Sequence, residues 1–278
     1  MRVTELMKEG LQIARKHRSL WLFGFFVGLA AANQGGSGGG GGAPVGAPET
    51  GGDPGLAVLL LVVVLVILLV AGVVMYFIGE GALIEGVSRV RGGEKLSVRE
   101  GVRHGWAHAG AIFKITLMYY AASIASFLVL AAPALLALRL ESTVAAAVLA
   151  IPAVIVAVPW LVTLYVWRAF ALRIAVLENR SALDAISKAR LFLHGRLGEG
   201  LRALVAAFLG MLLIALVGAL LLVPIALLLV FALEPAIGPL AFLVVAVVLL
   251  PAVVVVVSVL GTYQSSVWTL GYLAQVAR

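Results

Sequence analysis

LAVLLLVVVLVILLVAGVVMYFI, residues 56–78, decides the architecture. Twenty-three residues in a row carry no charge. At 1.5 Å per residue such a helix covers roughly the 30 Å of a bilayer's hydrocarbon core. Four further runs have the same character: Ile115–Leu138, Val144–Trp167, Ala203–Leu233 and Ala236–Leu260. Hydrophobic residues make up 63% of the 278-residue chain and charged ones 12%, outside the range of soluble domains. The reading is an all-α, polytopic integral membrane helical bundle.

Leu20–Ala32 is shorter, about 20 Å as a helix. Trp21, Phe23, Phe25 and Phe26 suit a membrane boundary, and Lys16 and Arg18 flank it as snorkelling anchors. Counting it gives six transmembrane helices with both termini on one face. Charge then orients the bundle. Nineteen of the twenty Lys and Arg fall in segments 1–19, 79–114, 168–202 and at residue 278, and only Arg139 lies opposite. The positive-inside rule makes the basic face cytoplasmic. The N-terminal basic residues are too dispersed, and no convincing cleavage site follows, so a cleavable signal peptide is not expected. The expected location is the cell (cytoplasmic) membrane, multi-pass, both termini cytoplasmic.

Three cytoplasmic interfacial amphipathic helices are expected. Ser97-Val-Arg-Glu100-Gly-Val-Arg-His-Gly105 aligns at an offset of 84 with Ser181-Ala-Leu-Asp184-Ala-Ile-Ser-Lys-Ala189, and Glu9–Ala14 repeats the second half of the pattern. Ser97 and Ser181 read as N-caps, with Glu100 and Asp184 in the first turn near the positive end of the helix dipole. Val98, Val102, Trp106 and Ala109 share one helical face, and Leu183, Ile186, Ala189 and Leu193 share another. Each copy precedes a pair of spans, which suggests a threefold helical-hairpin repeat. One membrane domain covers 1–278. It divides into an interfacial helix and first span (1–32), a Gly-rich extracytoplasmic linker (33–55), spans two and three with their cytoplasmic helix (56–138), spans four and five with theirs (139–233), and span six with the tail (234–278).

Chemistry is sparse. Cysteine is absent, so there is no disulfide or thiol chemistry to consider. The glycine run at 35–42 is not followed by Gly-Lys-Ser/Thr, so it reads as a flexible linker rather than a phosphate loop. His104 and His108 have the i, i+4 spacing of metal ligands but lack a completing partner, and a metal is not expected. Glu80 and Glu85 at the end of the second span read as partners of Arg89 or other boundary bases. No charged residue is expected at mid-depth, as coupled transport usually requires. Neither catalytic residues nor a cofactor are expected. The net charge of +7 flanks the spans and points to membrane lipids, anionic ones above all, rather than nucleic acid. Arg99, Arg103, Lys188 and Arg190 are the candidate anionic-lipid contacts, and the protein partner and oligomeric state are left open.

Four stretches carry a family likeness: Ser19-Leu-Trp-Leu-Phe-Gly-Phe-Phe before the Gly-rich loop, Gly81-Ala-Leu-Ile-Glu-Gly-Val, Ala175-Val-Leu-Glu-Asn-Arg-Ser-Ala-Leu-Asp-Ala-Ile, and Tyr263-Gln-Ser-Ser-Val-Trp-Thr-Leu-Gly-Tyr. On these the chain resembles an uncharacterised family of bacterial six-span membrane proteins, which includes the membrane domain fused to some glycerophosphoryl diester phosphodiesterases. The resemblance implies fold and location. The fused enzyme is a separate soluble barrel with its own metal ligands, and no such region occurs here, so its activity is not implied. The expected role is non-enzymatic: membrane-organising, lipid-interacting or partner-binding. The alternatives are a small transporter or channel for a neutral or lipid-like solute and, behind it, a membrane-embedded enzyme.

Overall fold

A computed structural model describes residues 2–35, 54–94, 96–195 and 197–277, with the side chains of 31–35 and 54–57 left aside. Every regular element in it is helical: α1 (Val3–Lys16), a 3-10 turn (Arg18–Leu20), α2 (Trp21–Gly35), α3 (Pro54–Arg91), α4 (Val98–Arg139), α5 (Thr143–Leu177), α6 (Ala182–Leu193), α7 (Leu197–Ile237) and α8 (Leu240–Val276). Five of them, α3, α4, α5, α7 and α8, are long and apolar enough to cross a membrane, the character of a multi-pass membrane protein. Of the linker expected over 33–55, residues 36–53 lie outside the described residues.

The five long helices run 35 to 42 residues, about 52 to 63 Å. That is nearly twice the hydrocarbon thickness. Each helix divides accordingly. One half is an apolar arm with little protein cover: on α3 every residue from 58 to 70 is between 45% and 68% exposed. The other half packs into a dense base with α1, α2 and α6. The largest fully buried side chains lie there, among them Phe23, Leu83, Ile112, Phe170, Tyr263 and Trp268. The helix prolines Pro133, Pro152, Pro159, Pro224, Pro235 and Pro251 are confined to the arms.

Base packing depends on small residues. α2 runs antiparallel to α8, with Gly10 of α1 against Val267, Gly24 against Ser258 and Thr262, and Gly28 against Val257 and Gly261. These backbones touch, a geometry that only glycine permits. Thr262 Oγ1 donates to its own helix at Ser258 O (2.8 Å). At the next crossing Gly105 of α4 lies against the Ile78 carbonyl of α3. Between α7 and α8, Gly210 leaves room for Tyr263, whose hydroxyl donates to Ala206 O at 2.7 Å. From its crossing at Gly28, α2 continues for about 10 Å to Gly35, whereas α8 continues from Val257 for about 25 Å to Leu240. α2 therefore ends about 15 Å short of the arm tip beside it, and does not match the other five helices in reach.

Two expectations about the amphipathic segments change. The 97–109 segment is not a separate helix. It is the first three turns of α4, continuous with the span, whereas α1 and α6 are separated from their following helices by breaks at His17 and at His194-Gly195. Gly195 sits at φ +81°, which turns the chain sharply. The apolar faces of α1 and α6 are also covered by protein. Leu6, Gly10, Ile13 and Ala14 of α1 are buried in contact with α7 and α8, and Ala182, Ala185, Ala189 and Leu193 of α6 are buried against α5 and α4. Leu183, expected on that face, is 66% exposed. The alanines at 182, 185 and 189 allow closer approach to α5 than a leucine would, which rotates the packed face away from Leu183.

Candidate functional site

The expected end of a span at Trp167 is passed without interruption. α5 continues to Leu177, and Arg168 and Arg173, expected in a solvated connecting segment, are 9% and 3% exposed inside the base. This is a correction to the charge map as well as to the helix ends, because the sequence pattern places no buried cations on the long helices. Apolar residues flank both arginines along 166–177 and continue the buried face, and Tyr76 and Glu80 of α3 supply the polar partners.

These arginines belong to a polar cluster built by three helices. Tyr76 and Glu80, one turn apart on α3, face Tyr165, Arg168 and Arg173 of α5, with Gln264, Ser265 and Trp268 of α8 completing the ring. Glu80 Oε1 lies 3.4 Å from Arg173 Nη2. Arg173 Nη1 donates to Ala169 O at 3.0 Å, and Arg168 Nη2 donates to Tyr76 Oη at 2.8 Å. The Arg168 guanidinium also stands 5.4 Å from the Tyr119 ring centroid, a cation–π distance. Gln264 Nε2 donates to Tyr165 Oη at 3.0 Å. Glu80 thus pairs with Arg173 rather than Arg89, and Glu85 is the residue that pairs with Arg89, at 2.9 Å. The cluster lines a cavity of about 30 Å³.

Two apolar grooves flank it. One, about 240 Å³, lies between α4, α5 and α6. Ile115, Met118, Leu164 and Ala171 form its apolar wall, and Arg168 and Arg190 also line it, with Arg190 6.0 Å from the Trp167 ring centroid. The other, about 540 Å³, runs between α4, α5, α7 and α8 and shares Tyr165 and Gln264 with the cluster. Tyr119 lines both grooves.

The residues singled out in the sequence lie around this centre. Ser97 caps α4: its Oγ accepts from Glu100 N at 3.3 Å, and Glu100 Oε2 accepts from Ser97 N at 3.1 Å. Burial is slight there, and the Ser97 hydrogen bonds hold the Glu100 end of the box in place. Ser181 caps α6, accepting from Asp184 N at 3.3 Å. Arg99 and Arg103 are exposed on the first turns of α4, away from the cluster. Lys188 is exposed and bonded to Glu178, which also accepts from Tyr272 Oη at 2.6 Å. Partial burial works against the Glu178 carboxylate, but the bonds from Lys188 and Tyr272 outweigh it and hold the group below the usual carboxylate value. Of the four expected lipid contacts, only Arg190 lines the α4–α5–α6 groove. Arg168, missed in the sequence, is its second cation. The signal that could have found it is the Tyr165, Arg168, Leu172 spacing, which continues the α5 face past the first charge.

His108 Nδ1 lies 2.9 Å from His104 O, and His104 Nε2 lies 3.1 Å from Arg89 Nη2. Among the described residues no group of three His, Asp or Glu is placed to hold a metal ion.

No protein-family model, curated protein or solved structure matches the chain.

Proposed function

We propose that the chain is a non-enzymatic, lipid-interacting protein of the cell membrane, and that the groove between α4, α5 and α6 seats an anionic phospholipid. The observation that carries this reading is an apolar wall with two arginines, Arg168 and Arg190, among the groove's lining residues, Arg190 being the exposed one. A phosphate draws bidentate bonds from arginine, and an acyl chain lies naturally against Ile115, Met118 and Leu164. The groove holds part of one chain, and the remainder continues along the uncovered arm of α4. Arg99, Arg103 and Lys188 add a weaker field, on the order of 1 kcal/mol for each base near the surface. The resemblance of the boundary patterns to those of the six-span family would fit a membrane role.

The test is lipid binding in nanodiscs. Replacing Arg99, Arg103, Lys188 and Arg190 together by glutamine will weaken the preference for anionic over zwitterionic lipid and flatten its salt dependence. Arg190→Gln alone will account for more of the loss than any other single change. An unchanged preference in the fourfold variant would leave these bases with topology as their only role.

A second reading is a transporter of a neutral or lipid-like solute. The 540 Å³ groove beside the buried Tyr165–Gln264 pair favours it. Solute flux into proteoliposomes, abolished by Gln264→Leu, would select it over the first.

The orientation belongs to the same proposal: six crossings in a threefold arrangement of hairpins, with the base on the cytoplasmic side of the bundle and both termini cytoplasmic. The first crossing is made by α2, whose short apolar length is accommodated by packing on α8 and α3. Single cysteines at Ser88, Ser187 and Ala277 will be protected from an impermeant thiol reagent in intact cells, and those at Ser37 and Ser142 will label. Labelling at Ser187 from outside would overturn the six-crossing arrangement.

A further inference from the structure

Charge counting in the buried cluster leaves a remainder. Arg168 and Arg173 are permanently cationic, and Glu80 is the acid that faces them. Glu85 is engaged by Arg89, and Glu178 by Arg180 and Lys188, outside the cavity. One positive charge is therefore in excess in a setting where an uncompensated ion is costly.

The hydrogen-bonding inventory points the same way. Four donor-bearing atoms on the cavity's lining residues have no partner among the described residues: Arg168 Nε, Arg173 Nε, Trp268 Nε1 and Ser265 Oγ. Trp268 and Ser265 are 2% and 1% exposed. Gln264 Oε1 is the one lining atom left unpaired that can only accept. Buried donors without acceptors are rare and call for an occupant. Water would satisfy the donors but leave the charge. The cavity, about 30 Å³, is on the scale of one or two water-sized particles, which suits a monatomic ion.

We propose that this cavity binds a single small inorganic anion of the halide class, with chloride the occupant in ordinary media. The ion cancels the excess guanidinium charge and accepts from Trp268 Nε1 and Ser265 Oγ, tying α8 to α5. The site is separate from the lipid groove, although Arg168 borders both.

The experiment is a thermal unfolding series on the full chain in zwitterionic nanodiscs, with sodium gluconate replaced stepwise by chloride, bromide or sulfate at constant ionic strength. Chloride and bromide will raise Tm along a saturating curve, and sulfate will not. Trp268→Phe and Ser265→Ala each remove one donor with little change of shape. In each, the chloride concentration at half effect will rise about tenfold or more, the loss expected for one hydrogen bond to a charged group. The fourfold glutamine variant at Arg99, Arg103, Lys188 and Arg190 will keep the chloride response, so failure of the lipid reading and failure of this one are distinguishable. Equal Tm in gluconate and chloride would overturn the proposal, as would an unaltered chloride response in both donor variants. So would a chloride response present in zwitterionic but absent in anionic nanodiscs, because a lipid phosphate would then be supplying the counter-charge.

Discussion

Gly261→Val will collapse the base of the bundle. A Cβ at this position collides with the carbonyl oxygen of Gly24 and the amide of Gly28, and a valine adds two methyl groups beyond it. Backbone atoms cannot swing aside as a side chain does, so α2 must leave α8. The expected cost is roughly 3 kcal/mol or more, the upper end of overpacking penalties. Separation of α2 also uncovers Phe23 and Leu20, which are 1% exposed. In detergent the variant will lose its monodisperse elution peak. Gly72→Val supplies the control. Gly72 lies in the α3 arm with nothing within 4 Å of its added Cβ, so that variant will elute as the parent does. Equal behaviour of the two would mean that α2 and α8 do not cross at this point.

Glu80→Leu will have the second-largest effect. It leaves Arg168 and Arg173 buried without the carboxylate that faces them, and breaking a buried pair typically costs about 3–5 kcal/mol. The double variant Glu80→Leu/Arg173→Met returns the cluster to its original net charge in an apolar setting. It will recover most of the lost Tm, because replacing both members of a buried pair avoids stranding either one. A double variant less stable than Glu80→Leu would show that Arg173 serves the fold through something other than Glu80. The Arg173 bond to the Ala169 carbonyl is the contact to suspect in that case.

The five long helices are legible in the sequence because twenty or more apolar residues without a charge fit a bilayer crossing and little else. Capping at Ser97 and Ser181 is legible for a similar reason: a hydroxyl three residues before an acid closes a local ring that needs no tertiary partner. The helix ends are not. A hydropathy window stops at the first charge, so Arg168 reads as the start of a loop, although α5 runs two and a half turns further. Whether an arginine at that point is solvated or buried depends on Tyr76 and Glu80, about ninety residues away in sequence, and no local pattern encodes that pairing. The break between α1 and α2 and the absence of one after 109 are hidden as well. Both segments are amphipathic, and only the packed neighbours decide whether the next span continues the same axis. Gly24-Phe-Phe-Val-Gly28 is visible as a small-residue spacing. Its partner, Gly261, sits in a helix too uniformly apolar to mark one face.

The division of each long helix into a bare arm and a packed base gives the molecule two mechanical regimes. Along the arms α4 pairs with α5 and α7 with α8, mostly through small side chains such as Ala137, Ala146, Gly218 and Ala241, and the prolines lie on these stretches. A change in bilayer thickness is absorbed most cheaply where helices can tilt, which here means the arms. The base is cross-tied by the Glu80–Arg173 pair, the Tyr263–Ala206 bond and the glycine crossings, so it keeps its shape while the arms lean. Bilayer strain then reaches the interior at the pivot between the two regimes, where Tyr76, Tyr165 and Gln264 stand.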